Sequence, residues 1–123
     1  MQPPIPNQLG RRVLLVEDDP DTLRLMQRLL ERLSIRAVPT STCAEAVRAA
    51  AELGGLDLVI TDEMLPDGRG ARLASDFARQ YGCEAIVISG VPPEQSLPTG
   101  VRLWLTKPID FTHLREALLK VVA

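Results

Sequence analysis

Five short apolar runs, "RVLLV" (12–16), "IRAVPT" (35–40), "DLVIT" (57–61), "EAIVIS" (84–89) and "RLWLT" (102–106), recur along 123 residues, and four of them are followed by sequence of helical pattern. Nothing else in the chain constrains its fold as strongly. An apolar run of strand length without polar alternation suits a strand covered on both faces. Strands alternating with helices predict a parallel sheet with helices on both sides, because right-handed crossovers lay successive helices against it. In such sheets ligands sit beyond the carboxyl ends of the strands, where the strand order reverses.

The helices carry their own signals. Asp19 supplies an N-cap and Pro20 a first helical residue, after which Leu23, Met26, Leu29, Leu30 and Leu33 recur at helical spacing. Ser41 or Thr40 is expected to cap a second helix over "TCAEAVRAAAEL", which stops at Gly54-Gly55. A third helix is expected over 69–81, and a last one in "DFTHLREALLKVV" with Asp110 as its cap. Residues 1–10 hold three prolines and no periodicity, as in a flexible tail or linker, and the folded domain is expected over 11–123.

Sixteen acidic and fourteen basic residues give a formal net charge of −2. The signs are interspersed, and no basic run could track a nucleic-acid backbone, so direct nucleic-acid binding is not expected. Two cysteines, Cys43 and Cys83, without a CxxC pair or a nearby His, suggest neither a zinc site nor a disulfide framework. They read as small core residues in a reducing cytosol. No apolar stretch approaches the ~18 residues that span a bilayer, so no membrane insertion and a cytoplasmic location are expected.

Aligning the strand ends brings five side chains to one crevice: Glu17 and Asp18 after the first strand, Asp62 after the third, Ser89 at the fourth and Lys107 just past the fifth. Three converging carboxylates repel one another unless a cation joins them. All-oxygen ligation is what Mg²⁺ prefers, whereas zinc would want His or Cys. A carboxylate is also a nucleophile that can form an aspartyl-phosphate when the charge on the incoming group is offset, and Mg²⁺ and the Lys107 ammonium would offset it. A Ser89 hydroxyl can donate to a phosphoryl oxygen.

The motifs "VEDDP", "DLVITDEMLPDGRG", "VISG" and "LTKP", in this order over residues 12–122, resemble the receiver domain of two-component response regulators, CheY-like phosphoacceptors of phosphorelays. The resemblance implies a flavodoxin-like (βα)5 sandwich with a parallel five-stranded sheet of order 2-1-3-4-5. It implies that Asp62 accepts phosphate from a histidine kinase or a histidine phosphotransfer protein, and that the protein catalyses its own phosphorylation and slow autodephosphorylation. Asp18 would bind Mg²⁺ directly, Glu17 mainly through water, Asp62 through its carboxylate and Met64 through its backbone carbonyl. Ser89 would be the switch hydroxyl and Lys107 the site lysine, with a cis bond to Pro108. Trp104 takes the place of the usual switch Tyr or Phe. Asp19 reads as a helix cap, Glu63 and Asp67 as solvated loop residues, and His113 as a surface residue beside Arg115 and Glu116.

One stretch departs from the family pattern. Three prolines and two glycines in residues 90–100 leave room for about one turn between Pro93 and Pro98, so the fourth helix is expected to be shortened or missing. The expected function is a phosphoacceptor switch acting on an unknown downstream protein with no attached output domain, either a single-domain regulator or the receiver of a hybrid kinase. A Mg²⁺-dependent aspartyl-phosphate phosphatase is an alternative, but that chemistry needs a carboxylate two residues past the nucleophile, where Met64 stands. A pseudo-receiver that binds a partner without phosphorylation is another, against which the complete set of five site residues argues.

Overall fold

A computed structural model of the protein describes residues 11–93 and 96–122. The elements run β1 (Val13–Val16), α1 (Pro20–Arg32), β2 (Ala37–Thr40), α2 (Cys43–Leu53), β3 (Leu58–Asp62), β4 (Met64–Leu65), β5 (Gly68–Arg69), α3 (Gly70–Tyr81), β6 (Glu84–Ser89), β7 (Leu103–Thr106) and α4 (Phe111–Val122). Five strands form one parallel sheet in the order β2-β1-β3-β6-β7, which is 2-1-3-4-5 when only these five are counted. The architecture is the doubly wound α/β sandwich expected from the sequence. The short antiparallel hairpin β4–β5, directly after β3, was not anticipated, because two-residue strands leave no periodicity to read.

Alternation along the strands sends side chains to two cores. Val13, Leu15, Leu58, Ile60, Ile86 and Ile88 pack with α1 and α4, while Leu14, Val16, Val59, Ala85 and Val87 pack with α2 and α3. Met26, Leu29, Leu30 and Leu33 are the buried stripe of α1, and Leu23 is partly buried beside them. Cys83 is buried and Cys43 half-buried, both as free thiols. Asp57 ties the start of β3 to β1, its carboxylate accepting from the Arg12 backbone N–H at 2.6 Å and from Arg12 Nε at 3.3 Å.

The caps match expectation at Asp19, whose carboxylate accepts from Thr22 N at 3.0 Å, and at Asp110, which accepts from His113 N at 2.8 Å. At α2 the cap is Thr42, not Ser41 or Thr40. Thr40 ends β2 and spends its hydroxyl on the Leu15 carbonyl at 3.0 Å. Thr42 Oγ1 instead accepts from Glu45 N at 3.0 Å, and the Glu45 carboxylate returns to Ser41 N at 3.0 Å, a capping box displaced by one residue.

Between β6 and β7 none of the described residues is helical, so among them no fourth helix stands where the sequence predicted a shortened or missing one. Residues 94 and 95, in the middle of the expected single turn, and the tail 1–10 lie outside the described residues. The segment's far end lies on α3: the Ser75 hydroxyl donates to the Thr99 carbonyl, and Val101 is buried in the second core. Gly100 has φ +86° and passes so near α3 that an added Cβ would meet Ala78 Cβ at 2.8 Å. No helix among the described residues is long and apolar enough to cross a membrane.

Candidate functional site

The strand order reverses between β1 and β3, and the residues leaving their carboxyl ends face one crevice. Glu17 is held at the end of β1 by its backbone N–H, which donates to the Thr40 carbonyl at 3.0 Å. Asp62 closes β3 beside Ile88 of β6, and Ser89 closes β6 beside Thr106 of β7. The Lys107 backbone N–H donates to the Ser89 carbonyl at 2.7 Å, and the next peptide bond, to Pro108, is cis.

Glu17, Asp18 and Asp62 each offer a carboxylate oxygen, and these oxygens all lie within 4.8 Å of one another. Lys107 Nζ stands 3.2 Å from Asp62 Oδ1 and 3.5 Å from Glu17 Oε1. Glu17 is buried at 5% exposure, and its Oε2 accepts from Asp19 N at 3.1 Å. Burial pushes the Glu17 carboxyl above the usual carboxylate range and the Asp62 charge adds to this, against the pull of the Asp19 N–H and the Lys107 ammonium. Burial works against the charge on Lys107, yet its ion pairs with Asp62 and Glu17 prevail and hold its pKa above the ordinary lysine value. Two like charges at about this separation repel by roughly 3–4 kcal/mol at an effective dielectric near 20, and one ammonium cannot neutralise three carboxylates. The site's chemistry calls for a further cation, and its all-oxygen donor set fits a hard divalent ion.

Ser89 is buried at 3% exposure, and its Oγ accepts from Val91 N at 3.2 Å. Val91 also accepts from Trp104 Nε1 through its carbonyl at 3.0 Å, so one residue links both candidate switch side chains. Trp104 is partly buried against the second core. Met64 lies exposed on the hairpin, its Sδ accepting from Arg69 Nη1 at 3.0 Å. His113 is exposed and pairs with Asp110 at 3.4 Å on the first turn of α4.

Three residues around the site do more than the sequence suggested. Asp67, although exposed, accepts from Cys43 N at 2.7 Å and from Ala44 N at 3.0 Å, so it fastens the β4–β5 turn to the first turn of α2. Those N–H donors hold its carboxyl below the usual range. Glu63 Oε1 accepts from Ala71 N at 2.8 Å and caps α3, whose own N-cap position, Arg69, makes no such bond. Neither residue is merely a solvated loop position. The readable signal was a helix start, "RGARL", with Arg69 rather than Ser, Thr, Asp or Asn at the cap position, which left its first N–H groups in need of another acceptor. Gly70 is the third: a Cβ there would sit 1.9 Å from the Asp62 carbonyl oxygen, so only glycine lets α3 press on the backbone that carries Asp62.

A doubly wound parallel sheet with a cluster of carboxylates and a lysine at its switch point defines an α/β protein whose ligands meet the carboxyl ends of the strands. The family of response regulator receiver domains matches residues 13–119, and the chain belongs to it. A two-component response regulator of Arabidopsis thaliana is 30% identical over 112 residues, covering 87% of this chain and 22% of that protein. The chain thus spans about a fifth of the length of the curated relatives it matches. Among solved structures, a CheY-like receiver domain from Methylobacillus flagellatus is similar with a TM-score of 0.79 and 25% identity, covering 90% of this chain and 98% of that one. A sensor protein from Polaromonas sp. JS666 is similar with a TM-score of 0.78 and 28% identity, covering 92% and 96%. Receiver domains work with histidine kinases or histidine phosphotransfer proteins.

Proposed function

We propose that this receiver takes a phosphoryl group on Asp62 from the phosphohistidine of a kinase or phosphotransfer protein and thereby switches its contacts with a downstream protein. The observation that carries the reading is the Lys107 ammonium, which bridges Asp62 at 3.2 Å and Glu17 at 3.5 Å within the acidic crevice. A cation so paired is ready to lie against a phosphoryl oxygen once Asp62 is modified. In the transfer, an Asp62 carboxylate oxygen forms a bond to phosphorus. The phosphorus–nitrogen bond breaks, its electron pair stays on the donor imidazole, and that ring takes a proton from solvent.

Asp18, Glu17, Asp62 and the Met64 carbonyl would hold Mg²⁺. When bound, that ion would supply positive charge to offset the phosphoryl oxygens and relieve the repulsion among the carboxylates. Asp62 is the nucleophile because it lies within reach of Lys107 on the central strand. Lys107 compensates charge. The Ser89 hydroxyl leaves the Val91 N–H to donate to a phosphoryl oxygen, and Trp104 responds because it hangs on the Val91 carbonyl.

The test is incubation with Mg²⁺ and acetyl phosphate, followed by peptide mapping of the added phosphate by mass spectrometry. A label on Asp62 that disappears in Asp62→Asn is the expected result, and labelling of that variant at the wild-type rate would reject the assignment.

A further inference from the structure

The Met64 carbonyl, assigned above to the metal, is carried by the β4–β5 hairpin, whose two-residue strands give it little strength of its own. The hairpin's base is closed where the Gly70 N–H donates to the Glu63 carbonyl at 2.8 Å, and the Glu63 N–H anchors it to the Ile88 carbonyl of β6 at 2.9 Å. Bonded and open pairs alternate in an antiparallel ladder. With Glu63 and Gly70 bonded, the next pair, Met64 and Arg69, is open, and the Met64 carbonyl turns away from β5. Its direction therefore follows the attitude of the whole hairpin. The tip of that hairpin is fixed by Asp67, whose Oδ1 accepts from Cys43 N at 2.7 Å and whose Oδ2 accepts from Ala44 N at 3.0 Å. These are the first two N–H groups of α2, which have no acceptor within their own helix, while the third, on Glu45, is served by Thr42. A carboxylate there also meets the positive end of the helix dipole. Gly68 keeps the contact close, since a Cβ added to it would meet Cys43 Sγ at 3.2 Å.

We propose that Asp67 is a positioning residue for the divalent ion: by clasping the first turn of α2 it holds the β4–β5 hairpin so that the Met64 carbonyl keeps its place among the ligands. The inference rests on the reading of the crevice as a Mg²⁺ site. A backbone carbonyl cannot be re-aimed by a side-chain rotamer, so a loose hairpin weakens the hold on the ion even when every carboxylate is intact. The coupling is reciprocal, because two events that favour one arrangement stabilise each other by the same free energy. Mg²⁺ that draws on Met64 thus tightens the Asp67 clasp, and order at the crevice reaches α2 through residues 24 positions apart. A role confined to capping α2 gives no such coupling. Removing Asp67 would then lower stability and leave the affinity for Mg²⁺ unchanged.

The experiment titrates Mg²⁺ into the unphosphorylated full chain by isothermal calorimetry, in wild type, Asp67→Asn, Asp67→Ala and Asp57→Asn. Asp57 is tied to Arg12 at the opposite end of β3 from the hairpin, so Asp57→Asn controls for lost stability. The expected result is a Kd roughly ten-fold weaker in Asp67→Ala, a smaller loss in Asp67→Asn, which keeps one oxygen acceptor, and no change in Asp57→Asn. In parallel, hydrogen exchange at the Cys43 and Ala44 amides is followed with and without Mg²⁺. The metal should slow both in wild type and leave both unaffected in Asp67→Ala. A wild-type Kd in Asp67→Ala overturns the proposal, as does an equal weakening in Asp57→Asn or wild-type exchange at the two amides that Mg²⁺ does not alter. Wild-type protein that binds no Mg²⁺ overturns the reading of the crevice itself, and this inference with it.

Discussion

Gly70 shows how much one missing carbon can decide. A methyl group at this position would sit 1.9 Å from the Asp62 carbonyl and 2.9 Å from Thr61 Oγ1, distances no backbone tolerates. Gly70→Ala must push α3 away from β3 or displace Asp62. Forcing a methyl into such a contact costs about 1–3 kcal/mol, and urea denaturation should show a loss of that size. Phosphate incorporation should fall as well, whereas a wild-type labelling rate would mean that the Asp62 backbone is not held by this contact. Asp18 offers the contrasting case. It is the exposed member of the three-carboxylate cluster, so Asp18→Ala removes a like charge while keeping the fold. The variant should be no less stable than wild type without metal and should lose the response to Mg²⁺.

At the scale of elements, the tie between β1 and β3 has a defined pH signature. The Arg12 backbone N–H, and then its guanidinium, hold the Asp57 carboxyl below the usual range. A carboxyl with a depressed folded pKa contributes stability that is fully present above its unfolded value, near pH 4, and is lost as pH falls through the folded value. Part of this side chain faces solvent, so the contribution is about 1 kcal/mol after screening. Asp57→Asn should lower neutral-pH stability by that amount and flatten the acid limb below about pH 4, as followed by denaturation from pH 2 to 7. The segment between β6 and β7 is a second element-scale case. Proline-rich sequence deprives it of helical donors, while the Val101 N–H donates to Pro98 at 3.0 Å and the Arg102 N–H to Ala85 at 2.8 Å. Hydrogen exchange should find those two amides protected and those of Gly90, Ser96 and Leu97 fast. Adding beryllofluoride and Mg²⁺ should alter exchange at Val91, whose N–H holds Ser89 Oγ. Unchanged exchange there would place the switch elsewhere.

For the whole molecule, the crevice is a destabilising feature that a ligand can relieve. Its less exposed members, buried Glu17 and half-buried Asp62, repel each other across the switch point while Lys107 compensates only in part. A divalent ion that binds the folded state alone should therefore raise the unfolding free energy, by about 1.4 kcal/mol at ten times its Kd. Thermal denaturation across a Mg²⁺ series measures this, with Trp104 fluorescence as the probe. Absence of any shift would remove the metal from the proposed site.

Sequence alone determined the alternation of strands and helices, hence the doubly wound sheet, because an unbroken apolar run of four to six residues can be satisfied only where both faces are covered. It also put Glu17, Asp18, Asp62, Ser89 and Lys107 at or just past the carboxyl ends of the strands, where each apolar run gives way to charged or hydroxyl residues. It could not reveal that Glu63 caps α3 or that Asp67 fastens the start of α2, because these bonds join residues separated by 8 and by 24 positions. Nor could it show the Val91 link between Ser89 and Trp104, the restraint of Met64 by Arg69, or the approach of Gly70 to Asp62. Each depends on how closely two elements pack. Local pattern carries the period and the breaks of the chain, whereas contacts between distant segments exist only once the two cores have closed around the sheet.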